Sequence, residues 1–83
     1  MPNDPASPTL VRELRAAYAR GIRKGWLREQ AGYEDAATFS RIYAGTQAPN
    51  DTAKLLRLLA AMAVPADVSA TILAEVAAAK GAA

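Results

Sequence analysis

Eighty-three residues are enough for one small domain, near the lower limit at which a single apolar core folds without staples. The chain has no Cys and no His, which excludes disulfides, a thiolate nucleophile, the usual zinc ligands and the commonest general base. Ten basic against eight acidic side chains leave a net charge of +2, so total charge alone does not announce a nucleic-acid partner. The distribution is less even, with seven basic and four acidic side chains between residues 12 and 41. No pair of carboxylates is spaced to face a common pocket, so no enzyme, cofactor or metal is expected.

Residues 1–6 carry two of the five prolines and little to bury, which predicts a disordered lead. They show no basic start followed by an apolar run, and the longest apolar tract, Leu58 to Val64, is far short of a membrane span. The expectation is a cytoplasmic protein without a membrane partner, its single domain covering 7–80 and its tail fraying over 81–83.

Ser7-Pro8 reads as an N-cap followed by proline at the first helical position, and Leu10, Val11, Leu14, Ala17 and Tyr18 recur at helical spacing. This first helix should reach about Arg20. Gly21 and Gly25 bracket Ile22-Arg23-Lys24, read either as a loop or as a bend in one continuous helix. A second short helix presents Trp26, Leu27, Gln30 and Ala31 on one face, turns Arg28 and Glu29 outward, and ends at Gly32. Trp26 is read as a core residue, with an exposed stacking platform as the other reading.

The third helix is the most sharply punctuated. Asp35 caps it, Phe39 and Ile42 form a narrow buried stripe, and Gly45 stops it after roughly nine residues. Its outer face carries Ala36, Ala37, Ser40 and Arg41, small residues and one long cation that fit a groove. Thr46 to Asp51 is a turn cluster, and Asn50 or Asp51 caps a fourth helix with Leu55, Leu56, Leu58, Leu59 and Met62, expected as the central apolar post. Pro65 separates it from a fifth helix with a stripe of Val68, Ile72, Leu73 and Val76. With no convincing strand and no repeat, the fold class is all-α, a compact bundle of five short helices.

The order of elements resembles the helix-turn-helix domain of the Cro and lambda-repressor (XRE-like) type over roughly Leu10 to Val64. The carriers are Leu14-Arg15, then Leu27-Arg28-Glu29-Gln30-Ala31-Gly32, then Thr38-Phe39-Ser40-Arg41-Ile42-Tyr43-Ala44-Gly45, and finally the leucine-rich run from Leu55 to Val64. The turn Tyr33-Glu34-Asp35 is one residue longer than usual for that family. Locally, Ala31 to Arg41 is similar to the helix-turn-helix of AraC-type regulators, where a Gly-aromatic pair precedes an acidic cap and a Phe-Ser-Arg triplet. The resemblance implies that helices two and three form the DNA-reading unit, with helix three in the major groove.

On that resemblance the base-contacting residues are Ala36, Ala37, Thr38, Ser40 and Arg41. The alanines offer only apolar contact to a thymine methyl, whereas Arg41 can bind guanine through two parallel hydrogen bonds or bind phosphate instead. Arg23, Lys24 and Arg28 are the expected phosphate clamps, with Thr46 and Gln47 extending the track. Tyr43 either places its hydroxyl on a phosphate or packs against helix four. Modest charge requires two copies on a near-palindromic site, so a homodimer is expected, with Val68, Ile72, Leu73 and Val76 as its contact. The other reading of that stripe is a fold-back onto helices one and four.

The implied function is a sequence-specific transcriptional regulator, a small repressor of double-stranded DNA. The alternative is a phage- or plasmid-type accessory protein that uses the same scaffold to bind or inhibit a protein partner.

Overall fold

The computed structural model describes residues 6–81. Five helices follow one another, α1 (Pro8–Ala19), α2 (Lys24–Ala31), α3 (Ala36–Ala44), α4 (Thr52–Ala61) and α5 (Ala66–Gly81), with no strand among the described residues. Residues 1–5 of the expected lead and 82–83 of the expected frayed tail lie outside the described residues. No helix among the described residues is long and apolar enough to cross a membrane.

The helix ends follow from local chemistry. Ser7 Oγ accepts the Leu10 amide at 3.1 Å, Asp35 Oδ1 accepts the Ala37 amide at 3.0 Å, and Asp51 Oδ1 accepts the Lys54 amide at 3.2 Å. Each satisfies a donor that the helix cannot satisfy itself. Gly32 and Gly45 close α2 and α3 in the left-handed region, at φ of 87° and 86°. Gly21, also left-handed, ends α1, so α1 and α2 are separate helices rather than one bent rod. Gly25 lies inside α2 and not in the preceding loop.

The core is a single cluster drawn from every helix. Leu10, Leu14 and Ala17 of α1 meet Leu27 and Ala31 of α2, Phe39 and Ile42 of α3, Leu55, Leu58 and Leu59 of α4, and Ile72 and Val76 of α5. Burying a Leu, Ile or Phe contributes about 1.5–3 kcal/mol, so these side chains dominate the stability. Helix α4 packs chiefly on α2, and α5 packs on α1. Leu56 is 48 % exposed, so the apolar side of α4 is narrower than its composition suggests.

Two aromatic positions depart from expectation, and a third takes up the core. Trp26 is 46 % exposed and Tyr18 is 66 % exposed, while Tyr33, from the turn, is buried. The buried stripe of α2 is Leu27 and Ala31, four residues apart, and Trp26 is rotated about 100° away from Leu27. Tyr33 supplies the missing aromatic bulk, its ring 5.3 Å from that of Phe39. Gln30 is also exposed, and Arg28 is half-buried rather than turned outward.

Helix α5, at 16 residues, is not short, and it folds back. Ile72 and Val76 are buried in the core cluster, which removes them from the expected dimer contact because their apolar area already faces α1. Only Val68 and Leu73 of that stripe remain, both half-buried. Glu75 fixes the fold-back, accepting the Ser7 hydroxyl at 2.7 Å, the Thr9 amide at 3.1 Å and the Thr9 hydroxyl at 2.7 Å. These bonds hold its carboxyl below the usual glutamate range, the Thr9 hydroxyl contributing most.

Candidate nucleic-acid interface

Phe39 and Ile42 point α3 into the core, so Ala37, Arg41 and Ala44 lie on the opposite, exposed side, with Ser40 half-buried at its edge. The outward face is therefore small and almost flat, apart from Arg41. Ala36 is exposed at the first turn. The remaining site residues separate onto the two flanks of α3.

One flank is a hydrogen-bonded chain. Asp35 Oδ2 accepts the Thr38 hydroxyl at 2.7 Å, Arg41 Nη2 donates to Thr38 Oγ1 at 3.4 Å, and Arg41 Nε donates to Gln47 Oε1 at 2.8 Å. The Thr46 hydroxyl donates to the Arg41 carbonyl at 3.2 Å, tying the following loop to the helix end. The Thr38 hydroxyl first, then the Ala37 amide, hold the Asp35 carboxyl below the usual carboxylate range. Arg41 is thus exposed but oriented, its strong bond made through Nε and its outer edge engaged only by the long bond to Thr38.

The other flank is aromatic and cationic. Tyr43 is half-buried, 6.1 Å from the Phe39 ring, and Lys24 Nζ lies 5.3 Å from the Tyr43 ring centroid. An ammonium over an aromatic face is a favourable electrostatic contact, and here it joins the start of α2 to the side of α3. Burial, then the nearby Tyr18 hydroxyl, push the Tyr43 phenol above its ordinary value, while Arg15 opposes them. The environment of Tyr43 is therefore set by α1, α2 and Phe39. Arg23 and Lys24 are exposed at the start of α2, and Arg23 shares a shallow depression with Gly21, Ile22 and Trp26.

Several cations have structural partners that sequence reading missed. Arg28 Nη1 donates to the carbonyls of Tyr33 at 3.0 Å and Glu34 at 3.2 Å, so this expected phosphate clamp braces the turn between α2 and α3. Arg57 Nη1 donates to the Ala31 carbonyl at 3.4 Å, and Arg20 Nη2 to the Met62 carbonyl at 3.2 Å. Cations at helix C-termini satisfy orphan carbonyls and complement the helix dipole. The Arg28 contact spans only five and six residues and was accessible in principle, whereas the other two bridge distant elements.

Beside the first flank lies a half-open cavity of about 310 Å³, bordered by the turn before α3, by Thr38 and Ile42, and by the loop entering α4. Glu34, Asp35 and Asp51 border it, yet no group of three His, Cys, Asp or Glu residues among the described residues is arranged to hold a metal ion. Comparison of the chain with protein-family models, with curated proteins and with solved structures yields no match.

Proposed function

We propose that the chain is a double-stranded DNA-binding transcriptional regulator in which α2 and α3 act as a helix-turn-helix and α3 enters the major groove. The observation that carries this reading is the outward face of α3: Ala37 and Ala44 leave room for base edges, and Arg41 projects beside them, oriented by Gln47. Binding guanine O6 and N7 requires Arg41 to exchange only the 3.4 Å bond to Thr38, because Nε keeps its own partner. A side chain already held in position loses less conformational freedom on binding.

In this reading Arg23 and Lys24 contact phosphate at the start of α2, and Trp26 joins them with its indole N–H. Thr46, and Tyr43 through its hydroxyl, lie along the flanks of α3, while Arg28 braces the turn. Ser40 and Thr38 assist Arg41. The protein acts in the cytoplasm as a small repressor on a near-palindromic operator. A net charge of +2 gives one copy a modest affinity, so two copies bind together. Sedimentation on and off DNA checks this, and a strict monomer at high micromolar concentration in both conditions removes the dimer.

A protein-binding accessory role is the second reading. It is favoured by the exposed Tyr18, Trp26 and Leu56, and by the carboxylates at the start of α3, which repel phosphate. A gel shift with DNA from upstream of its own gene, at low and moderate salt, separates the two. Retention at moderate salt with preference over scrambled DNA supports the regulator; binding that vanishes with salt and shows no preference supports the accessory protein.

A further inference from the structure

Where α1 ends, the chain reverses through Gly21, at φ of 92°, and enters α2 at Lys24. The reversal is pinned from within, the Gly21 amide donating to the Tyr18 carbonyl at 2.9 Å and the Ile22 amide to the Ala17 carbonyl at 3.0 Å. It leaves two shallow depressions on the surface. One, of about 590 Å³, is bordered by Tyr18 and Lys24, and the other, of about 340 Å³, by Trp26. Both include Gly21, Ile22 and Arg23, so they form one groove. Ile22 is half-buried and packs on the core, which fixes the floor that the two depressions share.

Of the exposed large apolar side chains among the described residues, Tyr18, Trp26 and Leu56, the first two border this groove. Its charge has one sign, because Arg23 and Lys24 line it and no carboxylate among the described residues does. Lys24 Nζ lies 5.3 Å from the Tyr43 ring centroid, and Arg15 and Tyr18 both act on the Tyr43 phenol, so the cationic and aromatic rim continues onto α1 and α3. An exposed Trp and Tyr with an Arg between them is the composition of a binding hot spot. Phosphate would pair with Arg23 and Lys24 but leave Tyr18 and Ile22 uncovered. A groove this shallow cannot enclose most of a small molecule, so its occupant is a segment carried by a larger partner. Nucleic-acid bases stack on aromatic faces, whereas the shared floor is the aliphatic Ile22, which suits an apolar side chain.

We propose that this groove docks an acidic polypeptide segment of a partner protein, its bulky apolar side chains seated on Ile22 between Tyr18 and Trp26 and its carboxylates paired with Arg23 and Lys24. The docking stands whether or not the chain binds DNA. A docked segment also competes with DNA, and that competition alone rests on the DNA-binding reading, in which Arg23 and Lys24 are the phosphate contacts.

Trp26 is the only tryptophan of the chain, so its emission reports on the groove. The test is a titration of the full chain, at moderate salt, with a short Trp-free peptide of Glu, Asp, Leu and Phe. The expected result is a saturable change in Trp26 emission that disappears when the Leu and Phe of the peptide are replaced by Ser at the same charge. Tyr18→Ala removes a side chain that is mostly in solvent, melts with the parent, and weakens binding about fivefold or more, as loss of an interface anchor requires. Arg23→Glu reverses the charge at a helix start, where an acid is favourable to the fold, and also weakens binding. Leu56→Ala, at an exposed apolar position outside the groove, titrates like the parent. No saturable change at millimolar peptide overturns the proposal. So does an equal response to the Ser-substituted peptide, or equal weakening by Leu56→Ala. Tighter binding of oligothymidylate than of the peptide overturns it as well and makes the groove a site for single-stranded nucleic acid. Added peptide should release the protein from the DNA of the gel shift, and a complex that holds both overturns the competition. Failure of the DNA-binding reading is seen separately, as no DNA binding by the peptide-free protein, and leaves the docking result intact.

Discussion

The α1–α5 side and the α2–α3 side of this bundle differ in how much of their cationic and aromatic surface stays open to solvent. Where α5 meets α1, Glu75 closes on Ser7 and Thr9 with three hydrogen bonds, and Ile72 and Val76 are buried beneath. Where α2 meets α3, Trp26, Arg23, Lys24 and Arg41 face solvent, and the Tyr33 hydroxyl has no partner. Polar groups paired within the chain stabilise a fold, whereas exposed cations and aromatics are available to something else. The contrast separates a side closed by internal bonds from one that leaves cations and aromatics open to solvent, and substitutions can break it.

The largest effect is expected on the α1–α5 side. Ile72→Ala should lower stability by about 3 kcal/mol, measured by denaturant unfolding, because a fully buried branched side chain leaves a cavity. A loss below about 0.5 kcal/mol, of the size seen at ordinary surface positions, would show that α5 is not docked on α1. Next comes Arg41→Ala, which should cost on the order of 1–3 kcal/mol of binding at the preferred DNA site and relax one base position, read by fluorescence anisotropy. A uniform loss across unrelated sequences would reduce Arg41 to a phosphate contact.

Glu75→Gln comes third. Its side chain is only half-buried and partly screened by solvent, so the loss is about 1 kcal/mol rather than the full value of three charge-assisted bonds. The pKa of Glu75 is lowered in the folded chain, so the unfolded chain binds its proton more readily. Its contribution is therefore complete above the ordinary glutamate pKa and is lost as pH falls through the lowered value, a slope that Glu75→Gln should remove from the acid limb of the stability curve. Smallest is Trp26→Ala, which should change stability by less than about 0.5 kcal/mol because the side chain is half exposed. The native tryptophan fluorescence should nevertheless respond to bound DNA, and an unchanged spectrum would move Trp26 out of the interface.

Features governed by neighbours a few residues away were legible in the sequence. Ser7 and Asp35 cap α1 and α3, Asp51 caps α4 where the sequence left Asn50 or Asp51 open, and Gly32 and Gly45 stop α2 and α3, because a cap needs only the next turn of chain. The buried pair Phe39 and Ile42 followed from spacing alone. What escaped depends on distant partners. Whether Trp26 or Tyr33 fills the core is decided by the ring of Phe39 and the rotation of α2, and both residues are large aromatics close in sequence to the buried Leu27 and Ala31. The Glu75 bonds to Ser7 and Thr9 cross 66 to 68 residues, so the last helix could equally be read as a dimer surface. At the candidate site, Arg41 stood out as the only cation of α3, but its tether to Gln47 depends on how the following loop returns along the helix.

The most direct measurement of the central claim is selection of bound sites from a random pool of double-stranded DNA by the full chain at moderate salt. An enriched near-palindromic motif containing a guanine in each half-site is expected, and that same position should lose its preference with Arg41→Ala. An unenriched pool, or an enriched motif identical for the parent and Arg41→Ala, would contradict the assignment of α3 as the element that reads bases.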